Sequence, residues 1–157
     1  MTTESIQIEL ARAVAAKIGA ASLDGAFAMP ATVEFRLFTS DDLDELREDA
    51  PALVRVLLSG RTEGRQTLSG SVWSGVVSLS ITVAKRILHA EIETAAPSLV
   101  LLCEQVAASL KFGNIPLTGA TAALMEVDGS QPFDGSRLST DVFVCEQIVK
   151  YAVHKRT

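Results

Sequence analysis

Few residue types in this chain could do chemistry, and their spacing argues against most of what they could do. His89-Ala90-Glu91 has the H-x-E form that gives a zinc deaminase one metal ligand and its acid/base glutamate. That site needs further thiolates from a P-C-x-x-C, which the sequence lacks, so His89 and Glu91 read as residues of a solvated connection. Cys145 and His154 share the last strand pattern and formally offer a thiol and a base. Nine positions along a strand put them far apart and on opposite faces. The acidic run Asp41, Asp42, Asp44, Glu45, Glu48 and Asp49 lacks the ordered oxygen spacing and the glycine of a calcium loop. It reads as an exposed helix start. No glycine-rich dinucleotide motif, no phosphate loop, no H-E-x-x-H and no G-x-S-x-G is present. The sequence therefore predicts no catalytic residue, no metal site and no cofactor.

The elements that would position these residues are easier to read. Trp73–Arg86, WSGVVSLSITVAKR, is the longest alternation in the chain. Val77, Leu79, Ile81 and Val83 share one face, and Ser78, Ser80 and Thr82 the other, so a strand with one buried and one wet face is expected. Thr32–Phe38 and Ala52–Ser59 read as further strands. The second is almost wholly apolar, with Arg55 inside it, which suits a central position. Gly60–Ser71 is polar, with glycines at 60, 64 and 70, and is expected to be a long hairpin connection.

Thr3–Ile18 is an amphipathic helix in which Ile6, Leu10, Val14 and Ile18 recur every fourth residue, with Thr2 or Thr3 as cap. Ser98–Leu110 is a second helix, with Pro97 at its first position and Leu99, Cys103, Val106 and Leu110 as its buried stripe. Gly113–Gly119 reads as loop, then Ala122–Val127 as a short strand. Thr140–Val153 is the closing strand, with Phe143, Cys145, Val149, Tyr151 and Val153 on one face and Gln147 interrupting it. Its other face carries Val142, Val144 and Ile148 and is expected to pack partly against something. The expectation is a single α+β domain over residues 1–157, a mainly antiparallel sheet with two helices on one face and a hairpin protruding around residues 60–72.

Bulk composition narrows the function classes. The 157 residues are 48% hydrophobic and 5% aromatic, enough for a core of Val, Leu, Ile and Ala. A net charge of −5 and a pI near 5.0 argue against a surface that holds nucleic acid by neutralising phosphate. The two cysteines sit in apolar patterns and read as buried free thiols of a protein folded in the cytoplasm, a disulfide being the alternative. The first residues form no signal peptide, and no apolar run is long enough to span a membrane.

The layout resembles the tail terminator family of long-tailed bacteriophages, also called tail-to-head joining or minor tail proteins. The helix SIQIELARAVAAKI, the unit ALVRVLLSG…VVSLSITVAKRI, the helix SLVLLCEQVAASL and the closing strand STDVFVCEQIVKYAV carry the resemblance over roughly residues 3–153. It implies an α+β structural subunit of a homohexameric ring, without cofactor, that caps the tail tube and ends its growth. Its partners would be further copies of itself, the tail tube protein and the head–tail connector or neck protein, with DNA crossing the lumen unbound. It also implies a virion tail or neck location after assembly in the host cytoplasm. No family motif transfers residue by residue. Arg61, Glu63, Arg65 and Trp73 are candidates for subunit or tube contact, and Asp41, Asp42 and Asp44 for a charged lumen or rim that repels DNA. A neck adaptor or tube subunit is the alternative, and a small cytoplasmic enzyme a more distant one.

Overall fold

A computed structural model gives the fold over residues 5–20, 31–36, 52–63, 73–88, 92–111, 113–128 and 142–155. These form α1 (Ile6–Ala20), β1 (Ala31–Arg36), β2 (Ala52–Glu63), β3 (Trp73–Arg86), α2 (Ile92–Ser109), β4 (Ile115–Leu117), β5 (Ala120–Asp128) and β6 (Val142–Lys155). The class is α+β, as the sequence predicts.

The strands make one sheet in the order β1-β2-β3-β6-β5-β4. β1 and β2 are parallel, and every other pairing is antiparallel. A parallel neighbour needs a crossover of about a dozen residues or more, and residues 37–51 provide that length. The centre of the sheet is β3 against β6, paired without a break from Trp73↔Lys155 to Arg86↔Val142. Two long strands distant in sequence thus form the spine, a non-local pairing of the kind that slows folding.

The apolar rows meet on one face of this sheet. Leu10, Ala11, Val14 and Ile18 of α1 pack with Val54, Val56, Val77, Leu79, Ile81, Val149 and Tyr151. Leu99, Leu102, Val106 and Leu110 of α2 join the same cluster. Each fully buried aliphatic side chain contributes about 1.5–3 kcal/mol of transfer free energy. Helix α1 touches β1 and β2 at one end of the sheet and β4 at the other, which is possible only because the sheet curls around it. Polar contacts fix α1 at both ends of that curl. The Arg12 guanidinium stands 5.8 Å from the centre of the Phe35 ring on β1. On the β4 side, the Thr118 amide donates to Glu9 Oε1 at 2.6 Å, and Lys17 Nζ donates to the Gly113 carbonyl at 3.4 Å.

Several boundaries differ from those expected, each for a local reason. The Ser5 carbonyl accepts from the Glu9 amide at 2.9 Å, so α1 starts after Ser5, while the expected caps Thr2 and Thr3 lie outside the described residues. Helix α2 begins at Ile92, leaving Pro97 inside it. So near the N-terminus, the missing amide forfeits only one early helical bond. Ile115–Leu117 is a strand, not loop: it pairs with Ala120–Ala122 across a two-residue turn in which Gly119 has φ 69°. β2 continues past Ser59, because a bulge between Leu58 and Gly60 absorbs one residue and pairing resumes to Glu63↔Gly75.

Candidate functional site

Arg61 and Glu63, expected in the hairpin connection, are strand residues. They stand opposite Val77 and Gly75, and Trp73 stands opposite Lys155. The bulge at Ser59 reverses the alternation beyond it. Arg61 therefore takes a register position opposite a residue of the apolar row, not one in line with Arg55. The three candidates are brought to one end of the β2–β3–β6 spine. Arg65, Asp41, Asp42 and Asp44 lie outside the described residues, as do the proposed acidic helix start, His89 and Glu91.

The sheet face away from the helices differs from the expected wet row. Ser80 and Thr82 are 8% and 7% exposed, and Ala84, Leu57 and Val142 are buried with them. The hydroxyl row is thus largely inside the protein, and Ser80 and Thr82 are not displayed on its surface. One transverse row crosses four strands by register: Glu34, Arg55, Thr82 and Glu146. Arg55, only 3% exposed, pairs with Glu34, its Nε and Nη2 each 2.9 Å from Oε1. This explains a charge inside the apolar run ALVRVLLS. Taking a guanidinium out of water is tolerable only with a charged acceptor at hand, and parallel pairing puts Glu34 opposite it. The signal was present in the sequence, since Glu34 lies in the polar row of the preceding strand. Nothing local, however, fixed the register that joins them. Glu34→Gln is expected to cost about 1–3 kcal/mol, read as a lower urea midpoint with an unchanged slope.

The closing strand bears out its mixed outer face. Val144 and Ile148 are half-buried there, while Glu146 and His154 are exposed. Further along that face Lys150 meets Glu126 of β5 at 3.5 Å in an exposed pair worth little. Exposed apolar side chains include Leu101 on α2 and Met125 beside the β5 bulge. On the helix side, Gln147 is buried with one of its two amide ends satisfied and its Oε1 without a partner among the described residues. Its Nε2 donates to the Cys103 carbonyl of α2 at 3.0 Å, a bond that ties the helix to the sheet. Cys103 and Cys145 are both free and buried, as expected. Cys145 and His154 lie on opposite faces of β6, one buried and the other exposed, so they form no nucleophile–base pair.

Among the described residues, no three histidine, cysteine or carboxylate side chains converge on a candidate metal position, and no helix is long and apolar enough to cross a membrane. The arrangement that remains is an α+β fold with a curled sheet, with Arg61, Glu63 and Trp73 at one end of the central strands.

No protein-family model matches the chain, and no curated protein matches it. Among solved structures it is similar to the sheath/tube terminator of an extracellular contractile injection system (PVC), determined by cryo-EM in the extended state. The TM-score is 0.38 at 14% identity, and the match covers 100% of this chain and 59% of that one. The chain therefore spans 59% of that neighbour's length.

Proposed function

We propose that the chain is a structural tail protein, a terminator that assembles into a homohexameric ring on the tail tube. The ring ends tube polymerisation and joins the tail to the head connector. The observation that carries this reading is the order of elements. A short helix, a strand, a strand–hairpin–strand unit, a single helix and closing strands follow the layout of tail terminators, and they fold here as one sheet that shares a core with both helices. The chemistry is geometric and electrostatic. A head-to-tail ring closes when the rotation between copies allows it, and growth stops because the far face of the ring does not repeat the tube.

In this reading Arg61, Glu63, Arg65 and Trp73 contact neighbouring copies or the tube. The position of Arg61, Glu63 and Trp73 at one end of long paired strands suits a reach toward a partner. Asp41, Asp42 and Asp44 give the lumen or rim a negative charge that lets DNA phosphate pass without binding. Tail tube protein and neck protein are the partners, the site of action is the virion tail or neck, assembly takes place in the host cytoplasm, and no cofactor takes part.

Negative-stain images and light scattering of the purified protein, alone and with tube ends, test the proposal. Single rings with the mass of six copies are expected, with Arg61→Glu and Arg65→Glu together preventing them. Open-ended stacks formed by the chain alone would mark a tube subunit, and a monomer that never binds tube ends would sink the ring reading.

A further inference from the structure

We infer, on the ring assembly proposed above, that the uncovered edge of β5 pairs with β1 of a second copy of the chain, so that the sheet runs on from one copy to the next. β4 is three residues long and pairs only with residues 120–122. Beyond it, residues 123–127 have β6 on one side and, among the described residues, no strand on the other. Such an edge presents backbone amides and carbonyls that an extended segment can complete. At the opposite end of the sheet, β1 pairs with β2 alone. The two edges do not meet within one copy, where α1 touches β1 on one side and β4 on the other.

Direction and packing favour that pairing. β1 runs with β2, β2 against β3, β3 against β6 and β6 against β5, so β1 and β5 run in opposite directions. A copy rotated about an axis parallel to the strands therefore brings its β1 to β5 as an antiparallel neighbour. Repeating that rotation gives the head-to-tail contact that a ring needs. The helix-side apolar rows also continue to both edges. Leu124 and Val127 stand opposite Tyr151 and Val149 of the buried row. With Val33 and Phe35 of β1, they are apolar side chains only partly covered at the rim of the core. Side by side across the junction, the two pairs shield each other from water.

Charge argues against the other way of using this edge, a two-fold contact between two copies of β5. Antiparallel pairing about Glu126 or Val127 would set the exposed Glu126 beside Glu126 or Asp128 of the other copy, and like charges opposite one another are destabilising. β1 brings no such repulsion, because its Glu34 carboxylate is already paired with Arg55. At the bulge between Leu124 and Glu126, Met125 is 59% exposed, a flexible apolar side chain that the incoming strand would cover. The paired stretch is short, so the contact is weak singly and gains from closure of the assembly.

Hydrogen exchange on the assembled protein, with the dilute monomer as reference, tests the pairing. Amides in residues 123–127 and 31–36 should both exchange about tenfold or more slowly in the assembly, and Met125 should resist dilute hydrogen peroxide there. Met125→Asp should keep the monomer's Tm and weaken assembly about tenfold or more. Leu101→Asp, at another exposed apolar site, on α2, should leave assembly unchanged. If Met125→Asp does not fold, exchange in the wild-type chain decides the matter. Rings in which neither segment is protected would overturn the pairing and leave the ring reading standing. Protection of β5 without β1, or equal weakening by both variants, would also overturn it. Open filaments with both segments protected would uphold the pairing and remove the closed ring. A chain that stays monomeric at every concentration, with and without tube ends, would overturn both.

Discussion

Leu79→Ala is expected to cost about 3–5 kcal/mol, a large share of the roughly 5–15 kcal/mol that holds a domain folded. Leu79 is fully buried in the middle of β3. By register it lies between Leu58 of β2 and Val149 of β6, so all three strands of the spine lose a partner at once. Long strands paired on both sides cannot close around the lost volume, which leaves a cavity in addition to the lost transfer free energy. Val76→Ala, three residues away in the opposite row and only half-buried, should cost about 1 kcal/mol or less. Urea unfolding of both variants checks the pair, at one fixed protein concentration because self-association shifts apparent stability. Equal losses would mean that Leu79 and Val76 are not buried as unequally as the structure shows.

That contrast marks what could be read from the chain. The Val/Leu/Ile row of Trp73–Arg86 was legible because period-two alternation follows directly from pleating. The four-residue rhythm of Ile6, Leu10, Val14 and Ile18 gave α1 in the same way. The opposite row of β3 was misread, since Ser and Thr accept burial as readily as water when partners are near, and alternation cannot tell the cases apart. Arg55 and Gln147 illustrate the same limit. Each looked like an interruption of an apolar row, and each is explained by a partner distant in sequence, Glu34 or the Cys103 carbonyl. Register between elements decided both, and no local pattern encodes it. The bulge at Ser59 is a third case: one absorbed residue changed the place of Arg61 and Glu63, and glycine at 60 alone did not announce it. β4 escaped notice because three residues containing a proline carry little strand signal, yet at the sheet edge Pro116 can be accommodated. Of the candidate contact residues, the sequence supplied charge and clustering. Their gathering at one end of the spine came only from strand pairing.

Tyr151 should make the protein lose stability in alkali in a way that one substitution removes. It is the chain's single tyrosine, 1% exposed, and its hydroxyl has no hydrogen-bond partner among the described residues. Burial pushes its pKa up from 10.0 to about 12, because the interior accepts the neutral phenol and not the phenolate. With the folded pKa above the unfolded one, this contribution is complete below about pH 10 and is lost as pH rises through about 12. Two pKa units correspond to about 2.7 kcal/mol over that window. Tyr151→Phe should leave stability at neutral pH unchanged or raise it by about 1 kcal/mol, since the removed hydroxyl is desolvated without compensation. Between pH 10 and 12 the variant should lose less stability than the wild type, and the difference isolates this residue from the lysines that titrate nearby. A direct reading is also available, because tyrosinate absorbance in this chain reports one group: its midpoint should lie near 12 in the folded protein and near 10 in urea. A folded midpoint near 10 would place the hydroxyl in water, and β6 could not then present its Tyr151 row to the core.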